Sequence, residues 1–426
     1  MKRIKIKTFI TNLFKKKKIK QISVLYSSTI IGIFIGLFTS VITTRFLGPE
    51  NYGDYKFIHS VYSFFSLIIS FGLSVSAGRL LADKSNQKIR KELIGSSIII
   101  TSVLGILFLL SIIIFAYFQS YFFPKDLKHV FILLAPLMFI IPFKMSFEYL
   151  FQGDNKIYQL AIFRQVPPVL YVLSLLMLNK FDYLSVVSAT SAELITFSVI
   201  VILLSIQMKP KFIKIKENVK IILNENKTYG LHVYAGSLIG VASTHFGPII
   251  LSYFSDTNID VGYYSLANVV TIPLIMIPNI VGTTMFKEFA SRKSIPLKAT
   301  RATIGMSVLS LVGYILFAKS MVLILYSEKY IEAVPLIYIV ALGQIFHGFG
   351  NYYNRFLGAH GQGKILRNGA MYVGIANLLG FVFLIPILGA YGAALTQLFS
   401  GFVFTLSLYT YYRIYINKIK SENFEE

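Results

Sequence analysis

The chain contains no cysteine in its 426 residues. This absence excludes disulfides, thiolate metal sites, cysteine nucleophiles and thiolate-bound iron–sulfur clusters. Charged residues are also scarce, at 14%, whereas soluble proteins average about 25%. No P-loop is present, which argues against direct ATP hydrolysis. Hydrophobic residues make up 55% of the chain, so we expect an integral membrane protein with almost no soluble domain.

Long apolar runs bounded by polar turns account for nearly the whole sequence. A membrane-spanning helix needs about 20 mostly apolar residues. The runs predict twelve such helices, near residues 22–45, 56–81, 93–118, 129–151, 159–178, 183–207, 230–254, 261–286, 299–318, 330–357, 367–387 and 392–412. The predicted fold class is therefore an all-α membrane protein, and the even number of spans puts both termini on one side.

Basic residues outnumber acidic ones, giving a net charge of +22. The segments on the same side as the termini hold 28 Lys and Arg, and those on the opposite side hold 5. By the positive-inside rule, this asymmetry places both termini in the cytoplasm. The excess charge then serves topology and contact with anionic membrane lipids, and no nucleic acid is expected as a partner.

Short sequence echoes recur at half the chain length. Gly153, Lys156 and Ile157 reappear as Gly361, Lys364 and Ile365 after 208 residues. The glycine of segment 52–55 reappears in segment 261–264 after 209 residues. GxxxG pairs occur in both halves, at Gly32/Gly36 and Gly236/Gly240. The echoes predict two parallel six-helix halves, an arrangement found in rocking transporters. The predicted organisation is a basic cytoplasmic segment (1–20), an N-terminal bundle (21–207), a basic cytoplasmic linker (208–229), a C-terminal bundle (230–412) and a cytoplasmic tail (413–426).

Residues 44–55, TRFLGPENYGDY, follow the first predicted span. This segment resembles the R-x-L-G-P-x-x-Y-G-x-Y pattern of Wzx-like polysaccharide biosynthesis flippases, in the multidrug/oligosaccharidyl-lipid/polysaccharide exporter superfamily. The Gly153-x-x-Lys156 turn and the segment 389–394, GAYGAA, are similar to that family as well. The likeness covers nearly the whole chain, although the family pattern is a turn and identifies no transport residue.

The resemblance implies two six-helix bundles around a central cavity, in the bacterial cytoplasmic membrane. It implies export of an undecaprenyl-pyrophosphate-linked oligosaccharide for a surface polysaccharide such as a capsule. A polysaccharide polymerase and glycosyltransferases would be functional partners, Na⁺ or H⁺ would be candidate coupling ions, and no cofactor or metal is expected.

Charged residues inside the spans are the candidates for transport, because burying a charge in a membrane is costly. The predicted substrate-binding residues are Arg164, Lys144, Arg79 and Arg355, and the predicted ion-coupling residues are Glu193 and Glu148. Arg164 leads this set because no opposite charge lies within four residues, and its planar guanidinium can hold a phosphate bidentately. Arg79 and Arg355 lie at the predicted cytoplasmic mouth.

Structural roles compete with each of these assignments. Lys144 and Glu148 are four residues apart and can neutralise each other on one helical face. Glu193 either pairs with Arg164 or exchanges a proton or sodium ion. Arg45 and Asp54 can pair across the turn that Gly48 and Pro49 introduce.

Two other functional classes fit less well. A membrane glycan polymerase or acyltransferase would be expected to carry a sizeable external loop or a set of acid and base residues. A multidrug antiporter of the same superfamily is compatible with the fold, but cationic drugs would favour a cavity lined with acids. The excess of deep Arg and Lys over acids favours an anionic cargo and hence the flippase.

Overall fold

The structure is a computed structural model that describes residues 17–422. Side chains are described for residues 27–419, apart from 30, 84, 236, 237 and 239–244. The predicted basic segment therefore lies almost wholly outside the described residues, as does the end of the predicted tail. The second GxxxG pair lies among the undescribed side chains.

Fourteen α-helices account for most of the described chain. They are α1 (Lys17–Ile69), α2 (Leu73–Ala82), α3 (Arg90–Phe122), α4 (Lys128–Met138), α5 (Ile141–Gly153), α6 (Ile157–Lys180), α7 (Val186–Met208), α8 (Ile215–Glu225), α9 (Leu231–Phe254), α10 (Ile259–Thr284), α11 (Phe286–Phe289), α12 (Leu297–Met321), α13 (Ala333–Ala359) and α14 (Gly363–Glu422). Short 3₁₀ turns span Lys84–Lys88 and Glu328–Tyr330, and π-helical turns span Asn226–Gly230 and Val322–Tyr326. No β-strand occurs within residues 17–422.

The prediction of an all-α protein with about twelve spans is confirmed. Nine helical segments of the described chain are long and apolar enough to cross a membrane. Two of them, in α1 and α14, contain a non-helical glycine and correspond to two predicted spans each. With α9, the count reaches twelve.

The sequence predicts a loop between the first two spans, but the structure has only a kink at Gly48 there. Gly48 adopts φ 74° and ψ 171°, a conformation that side chains disfavour. Helix resumes at Pro49, whose fixed φ suits a first helical position. The chain therefore bends at one residue and stays helical on both sides.

Two compact units divide the chain. Unit 1 comprises Met1–Ile42, Ile68–Ile114 and Val130–Tyr234, and unit 2 comprises Thr43–Leu67, Phe115–His129 and Ala235–Glu426. Unit 2 thus includes residues 43–67 and 115–129, which were predicted to belong to the N-terminal bundle. The boundaries of the two predicted bundles stay a prediction.

Each unit has an aromatic core. In unit 1, Phe147 stacks on Phe163 with ring centroids 6.0 Å apart, and Phe163 also contacts Phe197 at 5.4 Å, which joins α5, α6 and α7. In unit 2, Phe289 packs against Tyr352 and Phe356, joining α11 to α13. The rings of unit 1 hold together α5 and α6, the two helices that carry the first charged groups described below.

Candidate functional site

Arg164 on α6 forms an ion pair with Glu148 on α5 in unit 1. The guanidinium contacts both carboxylate oxygens, with Nε donating to Oε2 at 3.2 Å and Nη2 donating to Oε1. The Arg164 side chain is 32% exposed and the Glu148 side chain 28%. The pair is therefore sheltered but open to a ligand.

Hydrophobic packing positions this pair. Phe147 and Phe163 each precede one of the paired residues, and their stacked rings hold α5 against α6. Gln152, one turn beyond Glu148, donates to Glu148 Oε1 at 2.9 Å. Glu148 therefore has its orientation fixed from two helices, and it fixes the orientation of Arg164 in turn.

Gln165, the neighbour of Arg164, connects α6 to α1. Its amide nitrogen donates to the backbone oxygen of Ser28 at 2.8 Å and lies 3.1 Å from the Ser28 hydroxyl. A Cβ at Gly32 would lie only 2.9 Å from that nitrogen, so the first glycine of the GxxxG pair leaves room for this contact. Gln165 was not predicted as a site residue.

The observed Arg164–Glu148 pair differs from the two pairings considered from the sequence, Lys144 with Glu148 and Arg164 with Glu193. Glu148 binds Arg164 and Gln152, so the Lys144–Glu148 pair that the sequence allows does not form in the structure. Lys144 is exposed and has no hydrogen-bond or ion-pair partner among the side chains that the structure describes. Arg164 pairs with Glu148 and not with Glu193, which is half-buried in α7.

The two remaining predicted cations have different surroundings. Arg79, at the end of α2 in unit 1, lies 2.9 Å from Glu225 Oε1 and 4.2 Å above the Tyr229 ring. Its side chain is 55% exposed, so this contact is a surface pair. Arg355, on α13 in unit 2, is exposed and makes no ion pair with any described side chain. Arg355 belongs to unit 2 and Arg164 to unit 1.

A second charged cluster lies in unit 2 and was not predicted. The Asp54 carboxylate is 5% exposed and accepts from Lys125 Nζ at 2.8 Å and from Asn258 Nδ2 at 2.8 Å. Lys125 also lies 2.6 Å from Glu50 Oε1. Burial lowers the pKa of Lys125, but the hydrogen bonds and charges of Asp54 and Glu50 outweigh burial and raise it. We call these four residues the junction cluster.

Two repeat-related glycines meet beside the junction cluster. A Cβ on Gly53 would overlap the carbonyl of Asn258, and a Cβ on Gly262 would lie against the carbonyl of Pro49. Pro49 precedes Gly53 by four residues, as Asn258 precedes Gly262, so the two contacts correspond under the 209-residue echo. Once the contact between Gly262 and Pro49 is known, the echo identifies Asn258 as the corresponding contact of Gly53.

Arg45 binds the backbone of a distant segment of unit 2. Its Nε donates to the carbonyl of Leu325 at 2.7 Å, and its Nη2 donates to the carbonyl of Ile324. These carbonyls belong to the π-helical turn that follows α12. The expected Arg45–Asp54 pair is therefore wrong.

Comparisons with known proteins agree with this architecture. A family model described as "Polysaccharide biosynthesis protein" matches residues 19–287, more than half of the chain. An uncharacterized membrane protein of Methanocaldococcus jannaschii is 25% identical over 413 residues, covering 87% of this chain and 79% of the relative.

Two solved structures share the fold at low sequence identity. The lipid II flippase MurJ, in an inward closed conformation, is 17% identical, with a TM-score of 0.70 over 90% of this chain and 86% of MurJ. An inward-facing multidrug resistance MATE family transporter of the MOP superfamily is 17% identical, with a TM-score of 0.73 over 94% and 99% of the two chains. The chain therefore belongs to the polysaccharide biosynthesis protein family and has the fold of these membrane transporters.

Proposed function

We propose that the protein flips an undecaprenyl-pyrophosphate-linked oligosaccharide from the inner to the outer leaflet of the bacterial cytoplasmic membrane, with both termini in the cytoplasm. The observation that carries the proposal is the partly exposed Arg164, held in place by Glu148 in a member of a polysaccharide biosynthesis family. Arg164 contacts the pyrophosphate in this proposal, and alternating access moves the headgroup across the membrane.

The pairing of Arg164 leaves donors for a phosphate. A guanidinium has five N–H donors in a planar fork, and Glu148 engages Nε and Nη2. Nη1 has no hydrogen-bond partner among the described residues. A phosphate oxygen can bind there while Glu148 keeps the plane of the fork fixed, so the headgroup meets an oriented cation.

Position and charge favour an anionic ligand at this site. Arg164 lies seven residues after the start of α6 at Ile157, about 10 Å along the helix at ~1.5 Å per residue. Lys144 lies one turn before Glu148 on α5, so the three charged groups sum to +1. A headgroup that enters from the predicted cytoplasmic side would meet both cations.

Energy for export comes from the membrane potential and from an ion in this proposal. Moving a diphosphate of about two charges out of a negative cytoplasm gains about 4–5 kcal/mol per 100 mV. Glu193, half-buried in α7, is the group proposed to exchange H⁺ or Na⁺. Glu148 is the weaker candidate because Arg164 already balances its charge.

The junction cluster is the proposed outer gate. It joins residues 49–54 to the start of α10, and the topology prediction puts this end of the helices on the extracellular side. Release of the oligosaccharide outward would require the contact between Asp54 and Asn258 to break.

Accumulation of the substrate tests the function most directly. Deletion of the gene should leave a lipid-linked oligosaccharide on the inner leaflet, and the wild-type chain should clear it. Arg164→Ala should fail to clear it at normal expression, and Arg164→Lys should restore only part of the activity because an ammonium lacks the planar fork.

Arg292→Ala is a matched control for Arg164→Ala. Arg292 pairs with Glu288 at 2.6 Å on the surface of unit 2, where both side chains are about half exposed. This variant should clear the intermediate like wild type. Cells that lack the gene but accumulate no lipid-linked glycan, and become sensitive to cationic drugs, would instead support the multidrug antiporter.

A further inference from the structure

A second basic pocket lies in unit 1, apart from the Arg164–Glu148 pair. It has a volume of about 530 Å³ and lies where the N-terminus of α3, the turn between α5 and α6, and the end of α7 meet. Six basic side chains line it, namely Lys88, Arg90, Lys91, Lys156, Lys209 and Lys211. The proposed transport mechanism uses none of them.

The pocket has a large unbalanced positive charge. Its acidic residues are Glu92 and Asp154, and Asp154 is paired with Arg90. The remaining five cations are lysines, and none of their ammonium groups has a hydrogen-bond or ion-pair partner in the part of the chain that the structure describes. All five lysines are exposed, so water screens their mutual repulsion, but together they form a positively charged surface that attracts an anion.

The linker contributes part of this pocket and is fixed in place there. The backbone N–H of Lys211 donates to the carbonyl of Lys91 at 2.9 Å. A Cβ at Gly95 would overlap the carbonyl of Lys211, so the linker passes directly over α3. Lys209 and Lys211 are therefore held facing helices of the bundle, and the pocket does not depend on a free tail.

Exposed apolar side chains adjoin the lining residues of the pocket along the chain, at the end of α7 and just after Lys211. Ile206, Phe212 and Ile213 are 67%, 52% and 51% exposed. Along α7, Val199 and Ile202 continue this exposed apolar face away from the pocket. A soluble phosphate would make no use of these side chains, whereas the acyl chains of a membrane lipid would cover them.

We propose that this pocket binds the phosphate headgroup of an anionic phospholipid of the inner leaflet, with the acyl chains along α7. The lipid would tie the start of the linker to α3 and α6. Basic pockets between transmembrane helices on the cytoplasmic side are known to suit such headgroups. The site is independent of the flippase assignment, since it requires only that this end of unit 1 faces anionic lipid.

The absence of tryptophan from the sequence gives a clean test. Phe212→Trp introduces one fluorophore at the pocket, and Phe383→Trp introduces one at a 63% exposed position in unit 2. Each purified full-length variant is reconstituted in phosphatidylcholine vesicles with increasing brominated phosphatidylglycerol, which quenches a nearby indole. Binding at the pocket predicts at least about fivefold preference for phosphatidylglycerol at position 212 and none at position 383.

Charge-matched triple variants separate the pocket from general electrostatic attraction. In the Phe212→Trp background, Lys88→Gln/Lys156→Gln/Lys209→Gln should abolish the preference. Lys216→Gln/Lys220→Gln/Lys227→Gln, on exposed linker positions outside the pocket, should preserve it. Equal losses in both triple variants, or no loss in either, would overturn the proposal.

Soluble anions distinguish a lipid from a free phosphate. Glycerol 1-phosphate and inorganic pyrophosphate, at millimolar concentration, should leave the quenching unchanged because they lack acyl chains. Displacement of the brominated lipid by either anion would overturn the lipid assignment and identify a phosphate site.

Discussion

The Arg164–Glu148 pair and the junction cluster use the same kinds of charge in different surroundings. Asp54 is 5% exposed and has both carboxylate oxygens occupied, by Lys125 and by Asn258. Arg164 is 32% exposed and keeps donors that no described residue uses. A buried charge whose hydrogen bonds are all made holds helices together, whereas a partly exposed and oriented charge is available to a ligand. The comparison therefore favours the proposed structural or gating role for Asp54 and the proposed binding role for Arg164.

The largest effect is expected where the helices of the junction cross. Gly53→Ala places a methyl group in the space of the Asn258 carbonyl, so the helices must separate. We expect a loss of about 3 kcal/mol or more of stability, measured as a lower temperature at which the purified protein aggregates.

Gly305→Ala is the matched control for that change. Gly305 lies within α12 with no atom within 4 Å of the added Cβ, so the substitution should be neutral or slightly stabilising. Equal aggregation temperatures for Gly53→Ala and wild type would contradict the close crossing at Gly53 and Gly262.

Removing the buried carboxylate should have the next largest effect. Asp54→Ala leaves the Lys125 ammonium and the Asn258 amide without their shared partner, which should cost about 2–3 kcal/mol. Glu50→Ala removes a 49% exposed carboxylate from the same lysine and should cost less than about 1 kcal/mol. Both stability losses are measured by thermal aggregation. Similar losses in the two variants would contradict the claim that the buried carboxylate of Asp54 stabilises the protein more than the exposed carboxylate of Glu50.

Alkaline pH should weaken the same cluster. Because the pKa of Lys125 is raised in the folded protein, its charge stabilises the fold below its ordinary pKa. This contribution should disappear only as the pH rises through the raised folded-state pKa. A wild-type chain should therefore lose more stability than Asp54→Ala in the alkaline range, and parallel losses would argue against the ion pair.

Replacing the proposed coupling acid should affect transport more than stability. Glu193→Gln removes a titratable group from α7 while keeping its size, and the neutral amide is cheaper to bury. We expect several-fold slower transport with normal membrane insertion. Unchanged transport across a range of pH and sodium concentrations would leave Glu193 with a packing role.

The smallest effect is expected at the surface pair of α2. Arg79→Ala removes an exposed contact with Glu225 and a ring contact with Tyr229. The loss of stability should be below about 1 kcal/mol, and transport should fall less than in Arg164→Ala. A complete loss of transport would move Arg79 into the main binding site.

Hydropathy alone predicted the helical fold because each span must satisfy its own backbone in the membrane. All twelve predicted spans have a helical counterpart in the described residues. The predicted short loop at Gly48 is a one-residue kink, because Pro49 restarts the helix at once. Helix count depends on composition, but the shape of a turn depends on single backbone angles.

Side-chain partners were not predictable in the same way. A search for opposite charges within four residues finds Lys144 for Glu148, yet the actual partner, Arg164, lies 16 residues away on the next helix. Asp54 and Asn258 are 204 residues apart. Such contacts depend on how helices cross after each turn, and the 209-residue echo bears only on the crossing at Gly53 and Gly262.

Binding of undecaprenyl pyrophosphate to the purified protein tests the central claim about Arg164 most directly. Undecaprenol, which lacks the pyrophosphate, gives the baseline. We expect Arg164→Gln to weaken binding of undecaprenyl pyrophosphate at least about tenfold. Glu148→Gln should retain this binding. The stable double variant, with both charges removed, should still fail to bind undecaprenyl pyrophosphate. Equal weakening by the two single variants, with recovery in the double variant, would show that the pair only holds the helices together and would contradict the account.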